Sequence, residues 1–288
     1  MSDIRDPVKH VPDLATARSF LFAPGGDERK LTKALDAGAD AIVADLEDAT
    51  PADGKDAARA LVAAVLGGHA LGCLRLVRVN GVGTSWFDDD LAAVSRLPLD
   101  GLVLPKATPE AVPALAAAGL PVVAIVETAE GLQRSAELAR APGVVALQLG
   151  AVDLGLELGL EPLADGAHLL FARSRLTLDS AAAGLRGPID QVWLDTRDDE
   201  GLERDARLGR ALGFRGKACI HPAQVPVVNR VLTPSEAELE RARAVVAAYE
   251  EAAARGAGAV AIDGEMIDLP VVERARQLLA AAERSSNA

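Results

Sequence analysis

Residues 122–149 read VVAIVETAEGLQRSAELARAPGVVALQL. Two continuous apolar runs, residues 122–126 and 144–149, enclose a segment at 130–139 in which Leu and Ala recur at helical spacing among Glu and Arg. A strand buried on both faces reads as a continuous apolar run, and two parallel neighbours need a crossover helix between them. The stretch therefore predicts one strand–helix–strand unit of a parallel sheet.

The same alternation extends in both directions. Strand-like runs fall at residues 19–22, 41–45, 74–79, 101–104, 189–194 and 217–220, and amphipathic, Ala-rich segments at 28–37, 55–66, 109–118, 167–184 and 199–212. Eight such units without a compositional break predict an α/β chain closed into a (β/α)8 barrel, the TIM-barrel architecture, over residues 1–232. No Gly-x-Gly-x-x-Gly follows an early run, which argues against an open dinucleotide-binding sheet.

Residues 233–288 are more than a barrel needs. They read as a C-terminal helical extension: a long helix over 234–254 with Pro at its start and apolar Leu239, Val245, Val246 and Tyr249, then breakers at Gly256 and Gly258. A short extended piece at 259–262 and a helix over 270–283 follow. Such a tail caps its own barrel or packs on a neighbouring protomer.

Composition narrows the function. With 288 residues, 50% hydrophobic and 25% charged, the chain can bury a core without disulfide or metal staples. Its 42 acidic against 30 basic side chains, net charge −12, lack the basic footprint that nucleic acid or an anionic membrane surface requires. Two Trp, one Tyr and five Phe give no stacking platform for bases. Residues 1–14 do not resemble a secretory signal, and the apolar stretch 111–126 is broken by Pro113 and Pro121 and falls short of the roughly 20 residues a membrane helix needs. A cytoplasmic protein is expected. Cys73 and Cys219 sit in apolar surroundings as small buried hydrophobes, with neither disulfide nor zinc spacing.

Active sites of such barrels form at the C-terminal ends of the strands. Polar groups follow nearly every run: Asp45, Glu47 and Asp48 after the second, Arg78 and Asn80 after the third, then Lys106, Glu127, Asp153, Asp195 and His221. Asp45 and Glu47 are candidate catalytic carboxylates, with helix capping the other role open to Asp45, Asp48 and Asp195. Glu127 and Asp153 follow buried runs on strands about 4.8 Å apart, which brings both within reach of one cation. With oxygen donors only, that cation is Mg²⁺ or Mn²⁺ rather than zinc, and simple capping is the alternative. Arg78 clamps a substrate carboxylate or offsets a developing oxyanion, unless it is a salt-bridge partner of Asp45 or Glu47. His221, followed by Pro222, orients a loop or lines a cofactor pocket. Residues 88–90, three Asp in a row, read as a solvated helix start.

Taken in order, RSFLFAPG at 18–25, DLED at 45–48 with Lys55 and Arg59 following, RVN at 78–80, LPK at 104–106, VET at 126–128, GAVDL at 150–154, IHP at 220–222 and GEMID at 264–268 resemble the citrate lyase β-subunit-like branch of the HpcH/HpaI aldolase family. The similarity runs from about residue 18 to about residue 279, nearly the whole chain. It implies a (β/α)8 barrel in a trimer or hexamer that uses Mg²⁺ to cleave or form a carbon–carbon bond in a 3-hydroxyacyl-CoA thioester of the malyl-CoA or citramalyl-CoA type, with an acyl-CoA and a 2-oxo acid as products. On this resemblance Glu127 and Asp153 stand at the metal-binding carboxylates and Arg78 at the arginine that contacts substrate. Asp268 stands at an acid/base that the tail delivers to a neighbouring protomer. Lys30 and Lys106 are the cations placed for coenzyme A.

Two positions depart from the family pattern: Val152 precedes Asp153 where many relatives have Glu, and Glu130 stands where they often have Arg. Three other functions fit the same residues. One is a citrate lyase β subunit acting on a citryl thioester of an acyl carrier protein; another is a CoA thioesterase or malate-synthase-like enzyme; the third is a barrel that binds without catalysis.

Overall fold

The computed structural model describes residues 13–68 and 72–286. The stretch weighed above as a leader therefore lies, up to residue 12, outside the described residues. The chain divides into two compact units, Met1–Leu232 and Thr233–Ala288.

In the first unit eight parallel strands close into a barrel in sequence order: β1 Ser19–Pro24, β2 Ala41–Asp45, β3 Leu74–Arg78, β4 Gly101–Leu104, β5 Val122–Val126, β6 Val144–Leu149, β7 Ile189–Asp190 and β8 Gly216–Cys219. Around them run α1 Glu28–Leu35, α2 Lys55–Leu66, α3 Phe87–Val94, α4 Val112–Ala116, α5 Ala129–Gln133, α6 Ser135–Arg140, α7 Ala151–Leu158, α8 Leu170–Ala182, α9 Asp199–Ala211 and α10 Gln224–Leu232. The helix read over 130–139 is two short ones. Arg134, at φ −105° and ψ 16°, breaks it, and the Ser135 hydroxyl donates to the Leu132 carbonyl at the joint.

Side chains of a strand alternate between its two faces, and both faces of this sheet are covered. Leu21, Ile42, Ala44, Val77, Leu102, Leu104, Ala124 and Leu147 point outward into a large core shared with the helices. Phe20, Ala41, Val43, Leu74, Leu76, Val103, Val123, Ile125, Ala146 and Ile189 fill the barrel interior. Continued by two residues, the inward set reaches Asp45, Arg78, Glu127, Gln148 and Ile220, so the strand geometry alone brings these five to one end of the barrel.

The seventh strand is shorter than the run at 189–194 suggests. Only Gln148↔Ile189 pairs it with β6, and Ile189↔Gly216 and Asp190↔Lys217 with β8. Outward-facing charges hold it in place. Arg173 of α8 donates to both oxygens of Asp190 at 3.0 and 2.9 Å and to Asp205 of α9 at 2.6 Å. Lys217 donates to Asp205 at 2.6 Å and to the Gln191 carbonyl at 2.9 Å. All four ionic side chains are buried, and their charges cancel. A bare carboxylate or ammonium could not be held there, whereas two carboxylates matched by one guanidinium and one ammonium can.

The second unit contains α11 Glu236–Ala254, the antiparallel pair β9 Val260–Ile262 and β10 Glu265–Ile267, and α12 Leu269–Ser286. Ser235, not Pro234, caps α11: its hydroxyl accepts the Glu238 N–H while the Glu238 carboxylate accepts the Ser235 N–H, a reciprocal capping box. Ala242, Val245, Ile267, Val272 and Ala275 form this unit's own small core. Asp268 immediately precedes α12, and its carboxylate accepts the Val271 N–H at 3.4 Å. Among the described residues no helix is long and apolar enough to cross a membrane.

Candidate active site

At the strand ends of the first unit lies a cavity of about 460 Å³. Asp45, Asp48, Arg78, Glu127, Gln148 and Asp153 supply its polar wall, and Phe22, Ile125, Val152, Val192 and Ile220 much of its apolar one.

Arg78 is the centre of the electrostatics. Its Nε and Nη2 donate to the two oxygens of Asp45 at 2.8 and 2.6 Å, its Nη1 stands 2.9 Å from Glu47 Oε2, and its guanidinium lies 5.4 Å from the centre of the Phe22 ring. The two readings of Arg78 are thus combined: it is ion-paired with Asp45 and Glu47 and still faces the cavity. Those carboxylates hold its pKa above the ordinary arginine value against the opposing effect of burial. Asp45 also accepts the N–H groups of Glu47 and Ala49 at 2.9 and 3.2 Å, so it closes its own loop as well as binding the guanidinium.

Glu47 is buried beneath this pair. Burial raises its pKa, and Arg78 and the Lys106 ammonium, 2.7 Å from Oε1, pull it back. Lys106 adopts the left-handed φ of +46°, uncommon for a residue with a side chain. That conformation aims its backbone N–H at Glu127 Oε1, 2.7 Å away. The loop carrying Glu47 rests on a buried polar bed. Lys55 Nζ donates to the Leu46 and Glu47 carbonyls at 2.6 and 2.8 Å and to Asn80 Oδ1 at 2.8 Å, above the Trp86 ring. Asn80 in turn donates to Asp90, which Arg59 also reaches at 2.8 Å. Asp90 is fully buried, contrary to the solvated helix start expected for residues 88–90; Asp88 and Asp89 alone face solvent.

Glu127 and Asp153 line the same cavity, Asp153 from the first turn of α7. Burial first, then the nearby Glu47 and Asp153 carboxylates, push the Glu127 carboxyl up to about 7, although the Lys106 N–H and Arg78 act the other way. Glu127 Oε2 accepts no hydrogen bond among the described residues, and a Cβ on Gly150 would lie 2.6 Å from it and 2.4 Å from Glu127 Cβ. Gly150 is thus a cradle for the Glu127 side chain. Gly150→Ala is expected to displace Glu127 and weaken Mg²⁺ binding at least about tenfold with the barrel intact, since outer support of a metal ligand is worth about 10–100-fold in affinity. Calorimetric titration with Mg²⁺ checks this, and unchanged affinity would refute the cradle.

Among the described residues no cluster of three or more His, Cys, Asp or Glu is arranged to hold a metal. Two carboxylates suit Mg²⁺, which keeps several waters and takes few protein ligands, and a free Glu127 oxygen facing the cavity fits that donor set.

The remaining sequence candidates lie elsewhere. Lys30 is exposed on α1 and 3.4 Å from Asp27. His221 turns back on its own loop, where Nδ1 accepts the Ala223 N–H at 3.2 Å, and Asp195 likewise accepts the Arg197 N–H at 3.0 Å. Gln148 was hidden inside the apolar run 144–149, yet a lone polar residue in such a run, in step with Ile125 and Glu127, was the available signal. Gln224 left no signal: its side chain accepts the Ile220 N–H at 2.9 Å and donates to the Trp193 carbonyl at 2.8 Å, tying together the loops after β7 and β8.

An eight-stranded barrel with an acidic cavity and one guanidinium at its strand ends defines a barrel enzyme. The model of the HpcH/HpaI aldolase/citrate lyase family matches residues 18–222, and that of the C-C bond lyases of the TIM-barrel fold matches residues 177–283. A (3S)-malyl-CoA thioesterase of Cereibacter sphaeroides is 40% identical over 274 residues, covering 92% of this chain and 94% of that protein. The citrate lyase subunit beta of Escherichia coli K12 is 34% identical over 290 residues, covering 94% of each. The crystal structure of CitE from Mycobacterium tuberculosis in complex with magnesium, acetoacetate and coenzyme A superposes with a TM-score of 0.83 at 36% identity, covering 94% of this chain and all of that one. The chain belongs to the HpcH/HpaI aldolase/citrate lyase family.

Proposed function

We propose that the protein is a Mg²⁺-dependent carbon–carbon lyase that cleaves or forms a 3-hydroxyacyl-CoA thioester of the malyl-CoA or citramalyl-CoA type. The observation that carries this reading is the convergence of Glu127 and Asp153 on one cavity with the Arg78 guanidinium, in a chain whose relatives include citrate lyase β subunits.

Bound by Glu127 and Asp153, Mg²⁺ supplies Lewis acidity toward the oxygens of the hydroxy acid. In cleavage the bond between the thioester α-carbon and the hydroxyl-bearing carbon breaks. Its electron pair stays with the α-carbon, the hydroxyl proton leaves, and the hydroxyl carbon becomes the oxo group of the acid product. Arg78, held by Asp45 and Glu47 before substrate arrives, opposes the negative charge that grows in the transition state without having to reorganise. Asp268 of a neighbouring protomer, in a trimer or hexamer, returns a proton to the α-carbon, or removes it in the condensing direction. Lys30 is the candidate contact for the phosphates of coenzyme A, with Lys106 and His221 the other candidates on the cofactor side. A cytoplasmic location is part of the same reading.

Malyl-CoA and citramalyl-CoA, supplied with Mg²⁺, are expected to yield acetyl-CoA and the matching 2-oxo acid. Release of free CoA with the intact hydroxy acid would instead identify thioester hydrolysis, the reading favoured by the 40% identity to a malyl-CoA thioesterase. Neither product would overturn both. Mixing inactive Glu127→Gln and Asp268→Asn proteins is expected to restore part of the turnover by pairing an intact barrel with an intact tail. Absence of rescue at any mixing ratio would assign Asp268 to its own chain or to no catalytic role.

A further inference from the structure

The apolar wall of the cavity has no part in the chemistry just described. Val152, beside Asp153, is 50% exposed and Ile220, at the end of β8, is 39% exposed, whereas Leu149 and Leu154 next to Val152 are almost fully buried. Phe22, Ile125 and Val192 extend the same wall. Large apolar side chains left open beside carboxylates gain free energy only when an apolar group covers them.

The charges in the cavity point the same way. Asp45, Asp48, Glu127 and Asp153 line it, and among the described residues Arg78 is its one cationic lining side chain, already committed to Asp45 and Glu47. The Lys106 ammonium is paired with Glu47. With Asp45 paired to Arg78, and Glu127 and Asp153 the carboxylates that would hold Mg²⁺, a second carboxylate on the acid half of a substrate would meet the like charge of Asp48 and the apolar wall, with no uncommitted cationic side chain among the lining residues to receive it.

We infer that the cavity selects a hydroxyacyl thioester whose acid half carries an uncharged alkyl substituent, and that Val152 and Ile220 form the seat for it. This rests on the lyase reading and narrows it: a methyl or ethyl branch is favoured over hydrogen, and a carboxymethyl arm, as on a citryl thioester, is disfavoured.

The test is binding of 2-oxo acids to the Mg²⁺-loaded full chain by calorimetry, which needs no turnover. Glyoxylate, pyruvate, 2-oxobutanoate and oxaloacetate differ only in the substituent: hydrogen, methyl, ethyl and carboxymethyl. Pyruvate and 2-oxobutanoate are expected to bind about tenfold more tightly than glyoxylate, the lower end of what one added carbon contributes in an enclosed pocket. Oxaloacetate is expected to bind at least about tenfold more weakly than 2-oxobutanoate. Val152→Ser and Ile220→Ser should each narrow the alkyl-to-hydrogen ratio, and Val152→Lys should raise oxaloacetate affinity relative to pyruvate. Equal affinities, or oxaloacetate tightest, would overturn the inference, as would failure of all four to bind. The expected ranking with no cleavage of any hydroxyacyl-CoA would leave the seat standing and remove the lyase reading; cleavage without the ranking would do the reverse.

Discussion

Glu127→Gln is expected to abolish Mg²⁺-dependent turnover by at least about two orders of magnitude and at the same time to raise the melting temperature of the metal-free protein. The two effects share one cause. Glu127 is buried, and its carboxyl is pushed up to about 7, from the ordinary 4.5, chiefly by that burial. Between those values the folded protein holds a proton that the unfolded chain has released, so stability falls as pH rises through this window and stays lower above it. The cost above pH 7 is on the order of 3 kcal/mol. Gln keeps an oxygen for the Lys106 N–H and carries no charge, so its advantage should be absent below about pH 4.5 and fully developed above pH 7. Thermal melts of both proteins across pH 4–8 in a metal-chelating buffer read the difference. A variant no more stable than the parent at pH 8 would show that Glu127 is not strained by its surroundings. Unchanged Mg²⁺-dependent turnover would remove it from the metal site.

Arg78→Ala should unfold more readily and lose activity together. Removing the guanidinium leaves Asp45 and Glu47 buried without their main counter-charge, a situation that costs about 3 kcal/mol or more. For a chain of this size that lowers Tm by roughly 6–12 °C. The sign with pH is again fixed: the two orphaned carboxylates destabilise the fold only when ionised, so the deficit should shrink as pH falls toward 4. Arg78→Lys is the informative companion. Lysine offers one point charge where the structure uses a fork that grips both Asp45 oxygens and reaches Glu47, so it should recover part of the stability and little of the turnover. A Lys variant with parental kcat would show that charge alone, without the fork, suffices.

Much of this architecture was legible because strands buried on both faces leave continuous apolar runs: six of the eight barrel strands fall within a residue of those runs, and β1 continues two residues beyond its run. The exception is instructive. Residues 189–194 look like a strand because Ile189, Val192, Trp193 and Leu194 are apolar, yet only two of them pair, since Lys217 draws the Gln191 carbonyl out of the ladder. Strand β10 escaped notice because three residues of a hairpin, two of them exposed, carry no periodic signal. In the site, Asp45, Arg78 and Glu127 were readable as strand-end polar groups. That Lys106 turns to Glu47 across 59 residues of chain was not, because its left-handed backbone and partner are tertiary facts. Asp90, expected in solvent with Asp88 and Asp89, is buried for the same kind of reason: on a helix surface a charge looks solvated until the neighbouring loop is laid over it.

The barrel closes its seventh position with Arg173, Asp190, Asp205 and Lys217 where other positions use a backbone ladder. Hydration of ions becomes less favourable on heating, so the desolvation penalty carried by these four shrinks as temperature rises. The seam should hold its own near the melting point while neighbouring apolar layers loosen, and cold rather than heat is the condition under which it is the weaker part of the wall.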